Sequence, residues 1–314
     1  MSAKSNSVGQ LTTLARLSEN VSFFRIQLAT WKKKEAAHQI ILREIDEYRR
    51  QYESVTGLNF SDARIFEIGY GARPIRLFAL TSLGLDARGI DLDKPNLTGV
   101  FGDIWQVYRT NGFWRFAKTL VRGVLFDKHE RSTLDNVLKE RGARLNIDSS
   151  RFLVGDAGSF RFEPESVDFV YSEEVFQEIP RDSLEKLCRN LSGALSKNGM
   201  ALITPEVYSG ISGGNLVEWY PDSLPQKIKR KTDPWEHLRK RRARADCYLN
   251  ELRVRDFTEI FSEYFEIASI INRDPDRGRG FLTDEIRAEL ADYSEEELLS
   301  GRWMFVLRKK NQRE

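Results

Sequence analysis

Cysteine is scarce in this sequence, with two residues among 314, Cys188 and Cys247. Neither belongs to a Cys-x-x-Cys pair or a Cys/His cluster, which argues against a disulfide framework and a thiolate zinc site. No run of about 18 uncharged apolar residues occurs, so no segment is expected to span a membrane. Met1 to Gln10 is polar and lacks the apolar core of a signal peptide. These absences predict a reducing, cytoplasmic setting and leave attachment to a membrane surface open. An excess of one charge is also missing: 49 Lys and Arg face 47 Asp and Glu, a formal net of +2. Bulk electrostatics therefore do not point to nucleic acid. There is no internal repeat and no long low-complexity tract.

What is present is an alternation of strand and helix patterns. From about Leu11 to Tyr52 the apolar spacing reads as one or two helices, with Ile40, Ile41, Ile45 and Tyr48 on one stripe and Gly57 and Asn59 at the end. Strands are expected at Ile65–Ile68, Ala87–Asp91, Arg151–Val154, Val167–Tyr171 and Met200–Thr204, and late in the chain at Phe265–Ile271 and Trp303–Leu307. Helices are expected from Pro74 to Ser82, from Asp182 with Glu185 placed for a capping box, and from Asp256 to Tyr264. Leu184, Leu187, Cys188, Leu191 and Leu195 form the apolar face of the second of these. Such alternation implies an α/β fold: a Rossmann-like, doubly wound, mainly parallel sheet of about seven strands with right-handed crossovers. Residues 1–60 form a helical N-terminal extension to a domain at 61–314. Inserts at about 94–150, 206–250 and 274–300 exceed what the sheet needs and are expected to cover the ligand-binding edge.

The chemistry-bearing run is Glu67-Ile68-Gly69-Tyr70-Gly71-Ala72-Arg73-Pro74. Two glycines let the backbone turn sharply and approach a ligand, and the following helix offers unpaired N–H groups to an anionic group. Alone, Gly-x-Gly is equally a tight strand-to-helix turn. A dinucleotide fingerprint would need glycine at the position of Pro74, and a phosphate loop would need Gly-Lys-Ser/Thr, so both are disfavoured. Asp91, ending the second strand before Leu92 and Asp93, can accept from two ribose hydroxyls; its plainer role is a turn residue. Asp156, before Ala157, can accept from an adenine amino group.

In order and spacing these pieces resemble the class I S-adenosylmethionine-dependent methyltransferases, over roughly Arg64 to Thr204 plus the terminal strand pair. The family's acidic residue and Gly-x-Gly match Glu67, Gly69 and Gly71. Its ribose-binding acid matches Asp91, and its adenine-contacting Asp-Ala matches Asp156 and Ala157. Its fourth-strand pattern matches Asp168, Val170 and Ser172, followed by Val175, Phe176 and Ile179. The resemblance implies S-adenosylmethionine as cofactor, held by Glu67, Gly69, Tyr70, Gly71, Asp91, Leu92, Asp156, Ala157 and Ser172. Departures are Arg73 in place of the third glycine, Glu178 where many members carry histidine, and a long link between the second and third strands.

Methyl transfer is an in-line substitution in which the protein aligns the acceptor and excludes water. A hydroxyl acceptor also needs a base. His38 reads as a surface residue and His129 as part of a solvated turn. His237, in an insert that commonly reaches the acceptor in this family, and Glu206, just beyond the fifth strand, are the candidate bases. Glu174 and Glu178 read as structural or supporting groups. Asp91, Asp93 and Asp156 gather near strand ends, but ribose and adenine claim two of them, and no metal is expected. Basic stretches at Lys227–Arg244 and Arg109–Lys128 read as solvated faces, with a phosphorylated acceptor as the functional alternative, or for the second an amphipathic helix on an anionic membrane. The glycines and aromatics of Tyr208–Tyr220, with Trp235, suit stacking on sugars or a tryptophan-anchored loop. The expectation is a methyltransferase acting on a small molecule or glycan at oxygen. Nitrogen is the second choice; a nucleic-acid binder or a non-catalytic scaffold retaining the fold are rivals from other classes.

Overall fold

The computed structural model describes residues 34–95, 97, 127–242, 245 and 247–310. The first expected N-terminal helix and the basic stretch before Lys128 lie outside these residues. Helix α1 (Lys34–Thr56) leads to β1 (Ile65–Ile68), α2 (Ile75–Ser82) and β2 (Ala87–Asp91). Then come α3 (Lys128–Lys139), β3 (Phe152–Val154), β4 (Val167–Glu173), α4 (Arg181–Ala194) and β5 (Leu195–Thr204). The chain ends with α5 (Glu236–Arg239), α6 (Val254–Tyr264), β6 (Phe265–Asn272), α7 (Asp284–Glu289), α8 (Glu295–Leu298) and β7 (Trp303–Lys309).

The seven strands form one sheet in the order β3-β2-β1-β4-β5-β7-β6. The first five are parallel, and β7 runs antiparallel to both β5 and β6. All four residues of β1 are buried, as a central parallel strand covered on both faces requires. The strand order reverses direction between β1 and β4, and that switch point opens a crevice at the strands' C-terminal ends, where α/β sheets bind ligands.

Side-chain alternation divides the core. Phe169 and Tyr171 of β4 join Leu42, Ile45, Tyr48 and Tyr52 of α1, Leu77 and Phe78 of α2, and Leu134 and Leu138 of α3. Val170 faces the other way, toward Leu184, Leu187, Cys188 and Leu191 of α4 and Phe257 and Phe261 of α6. A third cluster takes Ile211, Trp219 and Trp235 from the insert after β5 and Leu282, Ile286, Leu290, Leu298 and Leu299 from the one after β6.

Several sequence-based expectations need correction. The stripe of α1 is His38, Leu42, Ile45, Tyr48 and Tyr52, all at most 2% exposed, whereas Ile40 is 48% exposed. His38 precedes Leu42 by one turn and so shares its buried side. His129 lies in α3, with Asp127 and Glu130 buried around the helix start, rather than in a solvated turn. Helix α4 begins at Arg181 with Pro180 as its cap and no side-chain capping bond; Glu185 pairs with Arg181 instead. Leu195, expected on the helix face, instead opens β5, whose pairing with β4 jumps from Val167↔Leu195 to Phe169↔Met200, leaving a bulge.

Phe261 is fully buried and meets Phe305 edge-to-face at 4.9 Å between ring centroids. Phe261→Ala leaves a void that a close-packed core cannot refill, so urea denaturation is expected to show a loss of about 3–5 kcal/mol. A loss below about 1 kcal/mol would mean that the α6 side of the core is not packed as described.

Candidate cofactor and acceptor site

The loop leaving β1 is shaped by two glycines in the left-handed region, Gly69 at φ 78° and Gly71 at φ 66°. A Cβ on Gly69 would sit 2.2 Å from Val175 Cγ2, so this glycine is required by both conformation and space. A Cβ on Gly71 would meet nothing within 4 Å, so that position needs glycine only for its conformation. The Gly69 amide donates to the Ile90 carbonyl at 2.8 Å. The Gly71 amide donates to Asp91 Oδ2 at 2.7 Å, and Asp91 Oδ1 accepts from the Asp93 amide at 2.8 Å. Asp91 thus ties the turn after β1 to the end of β2.

Beside it are two exposed apolar side chains, Leu92 (69% exposed) after β2 and Val154 (43%) at the end of β3. Their position at the mouth of the crevice suits the flat face of an adenine. Tyr70 is buried, and its hydroxyl donates to the Leu153 carbonyl at 2.7 Å, binding the loop to β3. Asp156 lies exposed beyond β3 and closes its own turn, accepting from the Gly158 amide at 3.0 Å and the Ser159 hydroxyl at 2.7 Å. Ala157 packs against the α4-side core. Ser172 is 1% exposed, and its hydroxyl donates to the Ile68 carbonyl at 2.8 Å, so that side chain joins β4 to β1.

Glu67 is 4% exposed, and its Oε2 has no hydrogen-bond partner. Burial pushes its carboxyl up to about 7; the nearby Tyr171 hydroxyl and Arg76 draw it down, while Asp91 and Glu173 add to the rise. A buried carboxylate oxygen lacking a partner beside a glycine turn fits a ligand carrying positive charge.

The two bases expected from sequence are otherwise engaged. His237 is 4% exposed; its Nε2–H donates to the Tyr208 carbonyl at 2.8 Å, and it also faces the Gly210 carbonyl. Burial pushes it down to about 4, and its ring packs where a Cβ on Gly214 would come within 2.6 Å. The glycines of this insert serve close packing. Glu206 accepts from the Ser212 hydroxyl and from Arg277 at 2.9 Å, and Arg277 also pairs with Asp274. Both side chains are thus held by groups of the inserts themselves. Basic side chains nearby are likewise engaged: Arg239 with Glu289, Arg242 with Asp233 and Glu236, and Arg230 over the Trp219 and Phe281 rings.

Sequence reasoning missed a second group at the strand ends. Tyr48 donates to Glu173 Oε1 at 2.7 Å, and Arg76 pairs with Glu44 at 2.8 Å. A carboxylate closing an apolar strand was the available signal for Glu173; nothing in the sequence revealed that Tyr48 would reach it. Asn250 was also missed. It donates to the Phe176 and Ile179 carbonyls at 2.8 and 2.9 Å and so secures the turn after β4.

Residues 121–203 match the family model described as a methyltransferase domain. The match spans the segment from before β3 to the end of β5. The chain thus contains a methyltransferase-domain match set in a seven-stranded, mostly parallel Rossmann-like sheet. For S-adenosylmethionine, the cofactor that the sequence resemblance implies, the glycine turn, Asp91, the exposed Leu92 and Val154, and the buried Glu67 carboxylate form a fitting set of groups. Solved structures similar to the methyltransferase include a Pyrococcus horikoshii protein, PH0226, at 13% identity over 79% of this chain and 82% of that one (TM-score 0.38). Another is a Haemonchus contortus phosphoethanolamine N-methyltransferase, at 19% identity and TM-score 0.40 over 83% of this chain; the match covers 53% of that protein. A third is a Streptomyces coelicolor geranyl diphosphate C-methyltransferase, at 13% identity over 83% and 76% of the two chains (TM-score 0.41). No curated protein matches the chain. Among the described residues no helix is long and apolar enough to cross a membrane, and no group of His, Cys, Asp and Glu could hold a metal.

Because the folded state raises the Glu67 pKa, it binds the proton more tightly than the unfolded chain does. Stability from this group is present below about pH 4.5 and is lost as pH rises toward and beyond about 7, by at most about 3 kcal/mol. Urea titrations at several pH values are expected to show this decline in wild type and a flatter profile in Glu67→Gln. Identical profiles would refute the assignment.

Proposed function

We propose that the enzyme transfers the methyl group of S-adenosylmethionine to a small polar molecule or glycan, at an oxygen or nitrogen that gives up a proton. The observation that carries this reading is the division of the crevice at the β1–β4 switch point. On one side stand the glycine turn, Asp91, Leu92 and Val154. On the other stand the ionisable ends of β4 and β5, Glu173 and Glu206, joined to arginines and to α1. The first half supplies groups for a nucleoside. The second supplies polar groups for an acceptor.

When bound, the cofactor supplies an electrophilic methyl on a sulfonium. The protein's share is to fix the nucleoside through Asp91 and the Gly69–Gly71 turn, to favour its positive charge through Glu67, and to align the acceptor. A small acceptor is favoured over nucleic acid because Arg239, Arg241 and Arg242 are paired with Glu289, Glu251, Asp233 and Glu236, which removes much of the basic face from phosphate binding.

Purified enzyme is to be incubated with methyl-labelled S-adenosylmethionine and a panel of polar alcohols, phenols, sugars and amines. Label is expected in a small-molecule product, and Asp91→Ala is expected to raise the KM for S-adenosylmethionine by about tenfold or more, the loss of about 1.4 kcal/mol. Label in RNA or protein alone would contradict the proposed acceptor class.

A further inference from the structure

We propose that Glu173 is the carboxylate that receives the acceptor's proton during methyl transfer, with Tyr48 of α1 as the residue that positions it. The inference rests on the proposed methyl transfer at the β1–β4 switch point and adds the group that completes it.

Position comes first. Strands β1 and β4 pair as Ile65↔Phe169, Phe66↔Val170 and Glu67↔Tyr171. Two residues further, Glu173 stands level with Gly69, the first glycine of the cofactor turn. With a side-chain period of two, Glu173 projects to the same sheet face as Tyr171. Its register partner on β5 is Thr204. Around this point lie three buried polar groups on residues at most 4% exposed: Glu67 Oε2 and the Tyr171 hydroxyl, which face each other without a well-formed hydrogen bond, and the Thr204 hydroxyl, which has no partner among the described residues. Such groups are costly to bury unpaired, and their convergence beside a glycine turn is what a polar ligand would relieve.

Partnering comes second. Glu173 is half-buried and so remains accessible. Its Oε1 accepts from Tyr48, and among the described residues its Oε2 has no hydrogen-bond or ion-pair partner. The cations facing this region already have carboxylates: Arg76 pairs with Glu44, Arg273 with Glu47, and Arg302 with Asp274 and Glu174. Burial raises the Glu173 carboxyl above its ordinary range; Arg76, the Tyr48 hydroxyl and Arg302 oppose the rise and Glu44 adds to it. Glu67 and Arg273 also face Glu173. A carboxylate raised toward the operating pH is suited to accept a proton.

The step balances without a further reactant. The acceptor's lone pair forms the new bond to the methyl carbon, the sulfur–methyl bond breaks, and its electron pair stays on sulfur as a neutral thioether. The acceptor's proton passes to Glu173 and from there to water.

A carboxylate at the point of transfer must sense whether the sulfur carries charge. Calorimetric titration of the full chain with S-adenosylmethionine and with S-adenosylhomocysteine, in buffers of differing ionisation enthalpy from about pH 5 to about pH 8, counts the protons released. The sulfonium is expected to release more protons than the thioether, by up to about one, over the range in which Glu173 titrates. Because Glu67 also faces this point, the titration is carried out in a Glu67→Gln background, where Glu173→Gln is expected to abolish the difference while both nucleosides still bind within about threefold of that background, well under the tenfold that 1.4 kcal/mol represents. Tyr48→Phe removes a bond to the ionised form, so it is expected to move the release to higher pH. Equal release by both nucleosides, or a difference that survives Glu173→Gln, would overturn the proposal and leave Glu173 a strut for α1. Should Glu173→Gln fail to fold, an unmoved release profile in Tyr48→Phe overturns it equally. Absence of S-adenosylmethionine binding to wild type would overturn the underlying cofactor reading instead.

Discussion

The bond from the Gly71 amide to Asp91 is the constraint on which the rest of the site depends. It joins a loop that only glycine can build to the end of the neighbouring strand, and so converts two strand termini into one rigid rim. The Gly69 amide reaches the Ile90 carbonyl beside it, and Val175 from beyond β4 packs where any larger residue at position 69 would have to go. Three strands are thereby locked at the crevice before any ligand arrives. That preorganisation leaves less ordering cost to be met on binding.

Helix α1 extends this constraint to the acceptor side. Its apolar stripe packs on Phe169 and Tyr171, and Tyr48, Glu44 and Glu47 reach Glu173, Arg76 and Arg273. A segment outside the sheet therefore sets the electrostatics at its centre. The two later inserts act differently. They share a small core around Trp219 and Trp235, and their charged residues mostly neutralise one another. Within them His237 and Glu206 bond to neighbouring groups of the inserts, the Tyr208 carbonyl and Arg277.

The parallel sheet was legible because its strands are short apolar runs ended by Gly, Asp or Pro, and because the helices between them carry a clear 3.6-residue period. The turn after β1 and its tie to Asp91 were legible for a related reason: a glycine turn and a strand-end acid are local features, each written in a few consecutive residues. The acceptor half of the crevice was not. Glu173 is defined by Tyr48, which lies 125 residues away in sequence. Glu206 and His237 looked available because their partners, Arg277 and the Tyr208 carbonyl, are tertiary neighbours. His38 misled because α1 buries the side one turn before Leu42, a rotation that the stripe containing Ile40 had obscured. Strand and helix identity is written in local pattern, whereas the ionisation and engagement of a carboxylate are written in its packing.

The central claim is that the crevice between β1 and β4 is the S-adenosylmethionine site. A crystal structure of the enzyme grown with S-adenosylhomocysteine tests this most directly. The account predicts the ribose hydroxyls on Asp91, the adenine against Leu92 and Val154, and the sulfur facing the end of β4. A nucleoside bound elsewhere, or a crevice closed to it with the Gly71–Asp91 bond intact, would contradict the account.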